Sequence, residues 1–256
     1  MKKIILVVLS LAVLFVSVGI GNAAMYIDEF LGLCEKGTPQ QVEAAINEGA
    51  KVKGNRDEPL IRAARMNPDP EVIAILLENG ADINVTIDGK TALMWAARNN
   101  PNPEIVALLL KNGANINARD HDGKTALMLA AGYNPNPEVI ALLLKNGADI
   151  NNARDGGSVT ALMFAAILNP DPEVIAILLE NGADINARDR DGVTALMCAA
   201  GHNRNPEIIA LLLKNGADIN AKDNRGYRAI DYANRFLEGT AVLKQLREAS
   251  KVPIKR

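Results

Sequence analysis

The sequence predicts an all-α repeat, a solenoid of about seven helix-turn-helix units with β-turn or hairpin tips. Three observations predict it. First, the stretch TALMWAARNNPNPEIVALLLKNGA at residues 91–114 is rewritten almost letter for letter from Thr125, Thr160 and Thr194. Equivalent opening positions fall at Glu58, Thr91, Thr125, Thr160, Thr194 and Arg228, at spacings of 33, 34, 35, 34 and 34. Second, the distance from the first-helix Leu to the Gly of NGA is 20 in every full copy, as from Leu93 to Gly113. All variation in length therefore falls in the connection after NGA, where a loop absorbs it. Third, aromatic residues make up 4% of the chain and apolar residues 48%. A thin stack built from Leu and Ala needs few large rings.

In chain order, residues 1–23 stand apart. Lys2 and Lys3 form a positive start, Ile4 to Ile20 is an uncharged apolar run of 17 residues, and Gly21-Asn22-Ala23 supplies small residues for cleavage. These are the three parts of a secretory signal peptide. The run also reaches the lower range of a membrane span, so an uncleaved anchor is the alternative. Either sends the remainder out of the cytoplasm, to the periplasm or the exterior of a bacterial cell. Leu31-Gly32-Leu33-Cys34 faintly resembles a lipoprotein box, but Leu33 is too large and Cys34 too distant from the run. Residues 24–250 are expected to form the repeat domain, with units near 28–57, 58–90, 91–124, 125–159, 160–193, 194–227 and 228–250. Residues 251–256, KVPIKR, form a short basic tail.

Within a unit, Thr91 and its copies are placed to cap a short first helix by accepting a backbone N–H. Leu93, Ala96 and Ala97 give that helix an apolar face at i, i+3 and i+4. A second helix starts at Asn102-Pro103, Asn136-Pro137, Asp171-Pro172 or Asn205-Pro206. Asn or Asp serves as N-cap and Pro sits at the first helical position. Asn112-Gly113 and its copies end it, because Gly adopts the left-handed cap conformation. Neither helix is long enough to persist alone in water, so copies stack and share their apolar surface. The end units differ, as they must: 29–53 is degenerate, and the last helix carries Lys244, Arg247 and Glu248.

The matching letters, D-G-x-T-A-L-M-x-A-A followed by E-V-I-A-x-L-L-x-N-G-A-D-I-N, resemble the ankyrin repeat, a unit of about 33 residues. The resemblance runs from about Asp28 to Glu248. The family's T-P-L-H is T-A-L-M here, and its G-H between helices is N-P-N-P or N-P-D-P. That replacement lengthens the unit by a residue and is expected to remove the histidine hydrogen bonds. The resemblance implies a non-enzymatic module, acting as a monomer, that holds a protein partner on a concave side built from turn tips and first helices. Carried onto this chain, the partner-binding positions are Arg119, His121, Asp122, Arg154, Arg188 and Arg190 at the tips, with Tyr133, Ile167, Leu168 and His202 on the helices. Those positions drift between copies while the frame does not, as a binding surface would and as neutral exposed positions also would. Trp95, Leu129 and Phe164 are expected to pack sideways as core. Arg119, Arg154, Arg188 and Lys222 share one position, each followed by Asp, which predicts exposed cation–Asp pairs between neighbouring turns, each worth about 0–1 kcal/mol.

Other chemistries find little support. A net charge of −2 argues against nucleic acid, whose binding depends on clustered Lys and Arg. Gly89-Lys90-Thr91 resembles the end of a phosphate loop, but the required earlier Gly is Asn84. Asp120-His121-Asp122-Gly123 hints at a calcium loop, but the required Glu is Leu129. His121 and His202 lie in different units at different positions, which fits neither a metal cluster nor a catalytic triad. Cys34 and Cys198 lie too many layers apart for a disulfide. No catalytic residue, cofactor or metal is expected.

Overall fold

The computed structural model describes residues 27–53, 59–151, 159–233 and 237–251. The expected signal segment, the loop carrying Arg154 and nearly all of the basic tail lie outside these residues. Among the described residues the chain forms seven helical pairs in sequence: α1 (Ile27–Lys36) with α2 (Pro39–Asn47), α3 (Pro59–Met66) with α4 (Pro70–Glu78), α5 (Ala92–Asn99) with α6 (Pro103–Lys111), α7 (Ala126–Tyr133) with α8 (Pro137–Lys145), α9 (Ala161–Leu168) with α10 (Pro172–Glu180), α11 (Ala195–His202) with α12 (Pro206–Lys214), and α13 (Ala229–Tyr232) with α14 (Ala241–Lys251).

The caps are those the sequence predicts. Thr91, Thr125, Thr160 and Thr194 each accept the backbone N–H three residues on, at 3.3–3.4 Å. Asp69, Asn102, Asn136, Asp171 and Asn205 each accept the N–H of a Glu two residues on, at 2.9–3.0 Å. Each of the five helices so capped ends at a Gly with φ between 85° and 95°. Beyond α4, Gly80 N–H donates to Leu77 O and Ala81 N–H to Leu76 O. These are the paired bonds that close a helix through a left-handed glycine.

The tips differ from one another. Between α4 and α5, β1 (Thr86–Ile87) and β2 (Lys90–Thr91) pair antiparallel. Asp88 (φ 50°) and Gly89 (φ 73°) form the turn, and two successive left-handed residues match the twist of a tight hairpin. The tips at Asp120, Asp189 and Asp223 are closed loops instead. Each of these Asp N–H groups donates to the carbonyl four residues on, at 2.8–3.0 Å. Each carboxylate accepts two N–H groups of its own loop, as Asp120 Oδ1 does from Asp122 and Lys124 at 2.9 Å.

One apolar core runs the length of the stack. A middle pair buries Leu93, Met94, Ala96 and Ala97 from its first helix and Ile105, Val106 and Leu109 from its second. Each fully buried Leu, Ile or Met contributes about 1.5–3 kcal/mol. Neighbouring first helices make more extensive contact than neighbouring second helices, because their facing residues are mostly Ala. The stack therefore bends toward the first helices, which line its concave side.

A row of buried asparagines crosses this stack. Asn67, Asn100, Asn134, Asn169 and Asn203 are at most 5% exposed. Asn134 Nδ2 donates to Ala97 O at 2.8 Å and to Asn100 O at 3.0 Å, both in the preceding pair. Its Oδ1 accepts the N–H of Asn136 at 2.8 Å. The other four repeat this pattern. Ala64, Ala97, Ala131 and Ala166 lie near the ends of first helices, where carbonyls lack an intrahelical donor. The N-P-x-P replacement therefore does not leave the units short of inter-unit bonds. Asparagine supplies them where histidine does not.

Candidate protein-binding surface

The tips line one edge of the concave side. Arg119 is exposed, and its guanidinium reaches the carbonyl of Gly123 in its own loop at 3.5 Å. Arg188 donates across to the carbonyl of Lys222 in the next loop. The aspartates that follow Arg119 and Arg188 turn Oδ1 into their own loops. The expected cation–Asp pairing between tips occurs from another position, with Lys90 Nζ 3.4 Å from Asp120 Oδ2. His121 is exposed, yet its ring lies against the backbone of the preceding turn, where a Cβ on Gly89 would come within 2.6 Å of it. Asp122 is exposed and pairs with Lys124 at 3.0 Å. Arg190 is exposed, and its carbonyl accepts from Asn224 at 2.9 Å. Arg154 lies outside the described residues.

The first helices supply the floor. Tyr133 and Leu168 are 43% and 41% exposed, as expected of surface positions. Ile167, expected beside them on the surface, is half-buried and packs against the core. The stack gathers Ile167, Leu168 and His202 with Pro170, Asn203 and Arg204 around a cleft of about 290 Å³. Gly132 makes room next to it, since a Cβ there would lie 3.2 Å from Leu168 Cδ1 and 3.4 Å from Phe164 Cδ1. Leu129 is fully buried, whereas Trp95 and Phe164 are only half-buried.

Trp95 does more than fill core. The Arg65 guanidinium lies 4.9 Å from its ring centroid, and Lys90 and Arg98 each lie 5.9 Å away. Arg98 also lies 4.6 Å from the Tyr133 ring. Contacts of this type contribute about 0.5–1 kcal/mol at exposed sites. Arg98 stands at a first-helix position that the resemblance assigns to the concave side, whereas Arg65 escaped the sequence reading, because Arg occupies that helical position in only two units.

At the far end, Tyr232 OH donates to Asp223 Oδ2 at 2.7 Å, and Arg225 Nε reaches the same oxygen at 3.0 Å. Burial alone would raise the Asp223 carboxyl. Hydrogen bonds from Tyr232, the Tyr227 and Arg225 backbones and the Arg225 guanidinium outweigh it and hold the group down at about 2. Burial pushes the thiols of Cys34 and Cys198 up to about 12, and neither forms a disulfide. Among the described residues no three His, Cys, Asp or Glu side chains gather as a metal site.

A family model described as ankyrin repeats (3 copies) matches residues 31–120, 60–154, 100–189 and 162–251 in overlapping registers. A 1-deoxy-D-xylulose-5-phosphate synthase of Stenotrophomonas maltophilia is 29% identical over 80 residues. The match takes in 30% of this chain and 13% of the synthase, too little of either to carry an activity across.

Proposed function

Because the chain belongs to the ankyrin-repeat family, whose members are typically non-enzymatic protein–protein interaction modules, we propose that it is an exported module that holds a protein partner on its concave side. The supporting observation is a cleft lined by Ile167, Leu168, Pro170 and His202, with the large side chains of Tyr133 and Leu168 exposed on α7 and α9. Large side chains half-exposed over a packed floor are the usual anchors of an interface. Export rests on the Lys-Lys start and apolar run of residues 1–23. The length of that run favours a second reading, a scaffold or protective factor anchored in the inner membrane.

Photocrosslinking amino acids at Tyr133 and Leu168, with Ala107 on the outer helices as control, test the placement in envelope extract. Crosslinks from the first two positions and none from the third are expected. The reverse pattern would move the interface to the convex side. A Tyr133→Ser, Leu168→Ser variant should lose about tenfold or more in affinity with an unchanged melting curve. Ile167 is left in place because it packs into the core. Mass spectrometry of the mature N-terminus separates the two readings: a chain starting near Ala24 excludes the anchor.

A further inference from the structure

Arg65 and Arg98 occupy equivalent positions, five residues after Leu60 and Leu93. Arg65, Trp95, Arg98 and Tyr133 alternate cation and ring across three neighbouring first helices. Arg65 Nε and Trp95 Nε1 are both shut off from solvent, with no hydrogen-bond partner among the described residues. Donors left in that state are rare and costly, and each calls for an explanation. Neither Arg65 nor Arg98 pairs with a carboxylate among the described residues. The sequences of α3, α5, α7, α9 and α11 contain no Asp or Glu, whereas Glu71, Glu104, Glu138, Glu173 and Glu207 open the second helices. Across these five pairs the carboxylates are thus kept off the first helices, whereas α1 carries Asp28, Glu29 and Glu35, the last paired with Arg62 at 2.6 Å, and α13 carries Asp231.

The apolar cleft at Leu168 lies two first helices beyond Arg98. Packed helices lie about 10 Å apart and an extended chain advances about 3.3 Å per residue, so about six residues span the distance. We propose, building on the binding role above, that the partner enters as an extended acidic segment, its carboxylates against Arg65 and Arg98 and an apolar side chain about six residues along in the Leu168 cleft. The curvature favours a strand of polypeptide over a membrane, because a flat bilayer does not reach into a concave row. The acidic balance of the whole chain disfavours polynucleotide.

Fluorescence anisotropy on the full mature chain tests this with a labelled peptide of about twelve residues: a glutamate run, a Gly-Ser spacer and a terminal leucine. The Glu peptide should bind, and its Lys counterpart should not. Affinity should fall about tenfold between about 50 and about 300 mM salt. Arg65→Gln with Arg98→Gln should weaken it about tenfold or more with unchanged circular dichroism, and Arg98→Glu should shift preference toward the Lys peptide. Leu168→Ser should weaken the leucine peptide but not a version ending in serine. No binding of the Glu peptide up to about 1 mM, equal binding of both peptides, or an unaffected double Gln variant would each overturn the proposal. So would tighter binding to oligothymidylate or to phosphatidylglycerol vesicles. If any of these occurs while crosslinks still form at Leu168, the acidic segment is wrong and the concave binding role stands. Crosslinks confined to Ala107 end both.

Discussion

Asn134 shows how much one side chain carries. It ties two carbonyls of the preceding unit to the start of its own second helix. Asn134→Ala removes the donor from those carbonyls and the acceptor from Asn136, and urea melts should show a loss of about 2–4 kcal/mol. Asn134→Asp should be worse at neutral pH, because it aims a carboxylate at two carbonyl oxygens. This row was not legible beforehand. The repeated Asn is visible, but its partners lie 34–37 residues away, beyond any local rule. Trp95 packs against the core as expected, but periodicity places it on the helix without saying that three cations approach its ring. Asp223 makes a different test. Its carboxyl is held at about 2, below the usual value of 3.8, so its stabilisation is fully present above about pH 4 and lost as the pH falls toward 2. Asp223→Asn should loosen the Tyr227 and Tyr232 rings at pH 6, seen in near-ultraviolet dichroism, and should match the parent near pH 2.

Elements were read more securely, because caps are local. The Thr, the Asn-Pro or Asp-Pro pair and the Asn-Gly stop all sit where each helix begins or ends. A finer feature appears once the helices are stacked. Asn102, Asn136 and Asn205 each donate from Nδ2 to a proline carbonyl of the preceding unit, at 2.8–2.9 Å. Asp171 caps α10 equally well but has no N–H to offer. Asp171→Asn should add the missing bond to Pro135 and raise stability by about 0.5–1 kcal/mol, read from the urea midpoint. The hairpin before α5 is a second case, where Asp88-Gly89 supplies two left-handed residues and the tips at Asp120, Asp189 and Asp223 use an aspartate-closed loop.

Among the described residues the extensive contacts run within a unit and between neighbouring units, so stability accumulates along the stack. Solution scattering should give a radius of gyration above the roughly 18 Å of a compact chain of this length. Amide exchange should be slowest in α5 to α10 and fastest at the two ends. Both thiols are buried with their ionisation pushed up to about 12, so a disulfide-exchange reagent should label neither until urea opens the stack. A concave side was expected from the resemblance, whereas the alternation of cation and ring across α3, α5 and α7 was not readable in advance, because it depends on which faces meet.

The Asn-Gly stops carry one more consequence. Asn-Gly is the pair most prone to spontaneous deamidation, in which the glycine nitrogen attacks the asparagine side-chain carbonyl and expels ammonia. Here Gly80, Gly113, Gly147, Gly182 and Gly216 have their N–H groups engaged by a leucine carbonyl. The Asn amide before each is pinned to the carbonyl four residues back. Neither reacting atom is free to reach the other, so a chain that spells this fragile dipeptide in unit after unit is shielded from chemical ageing for as long as it stays folded.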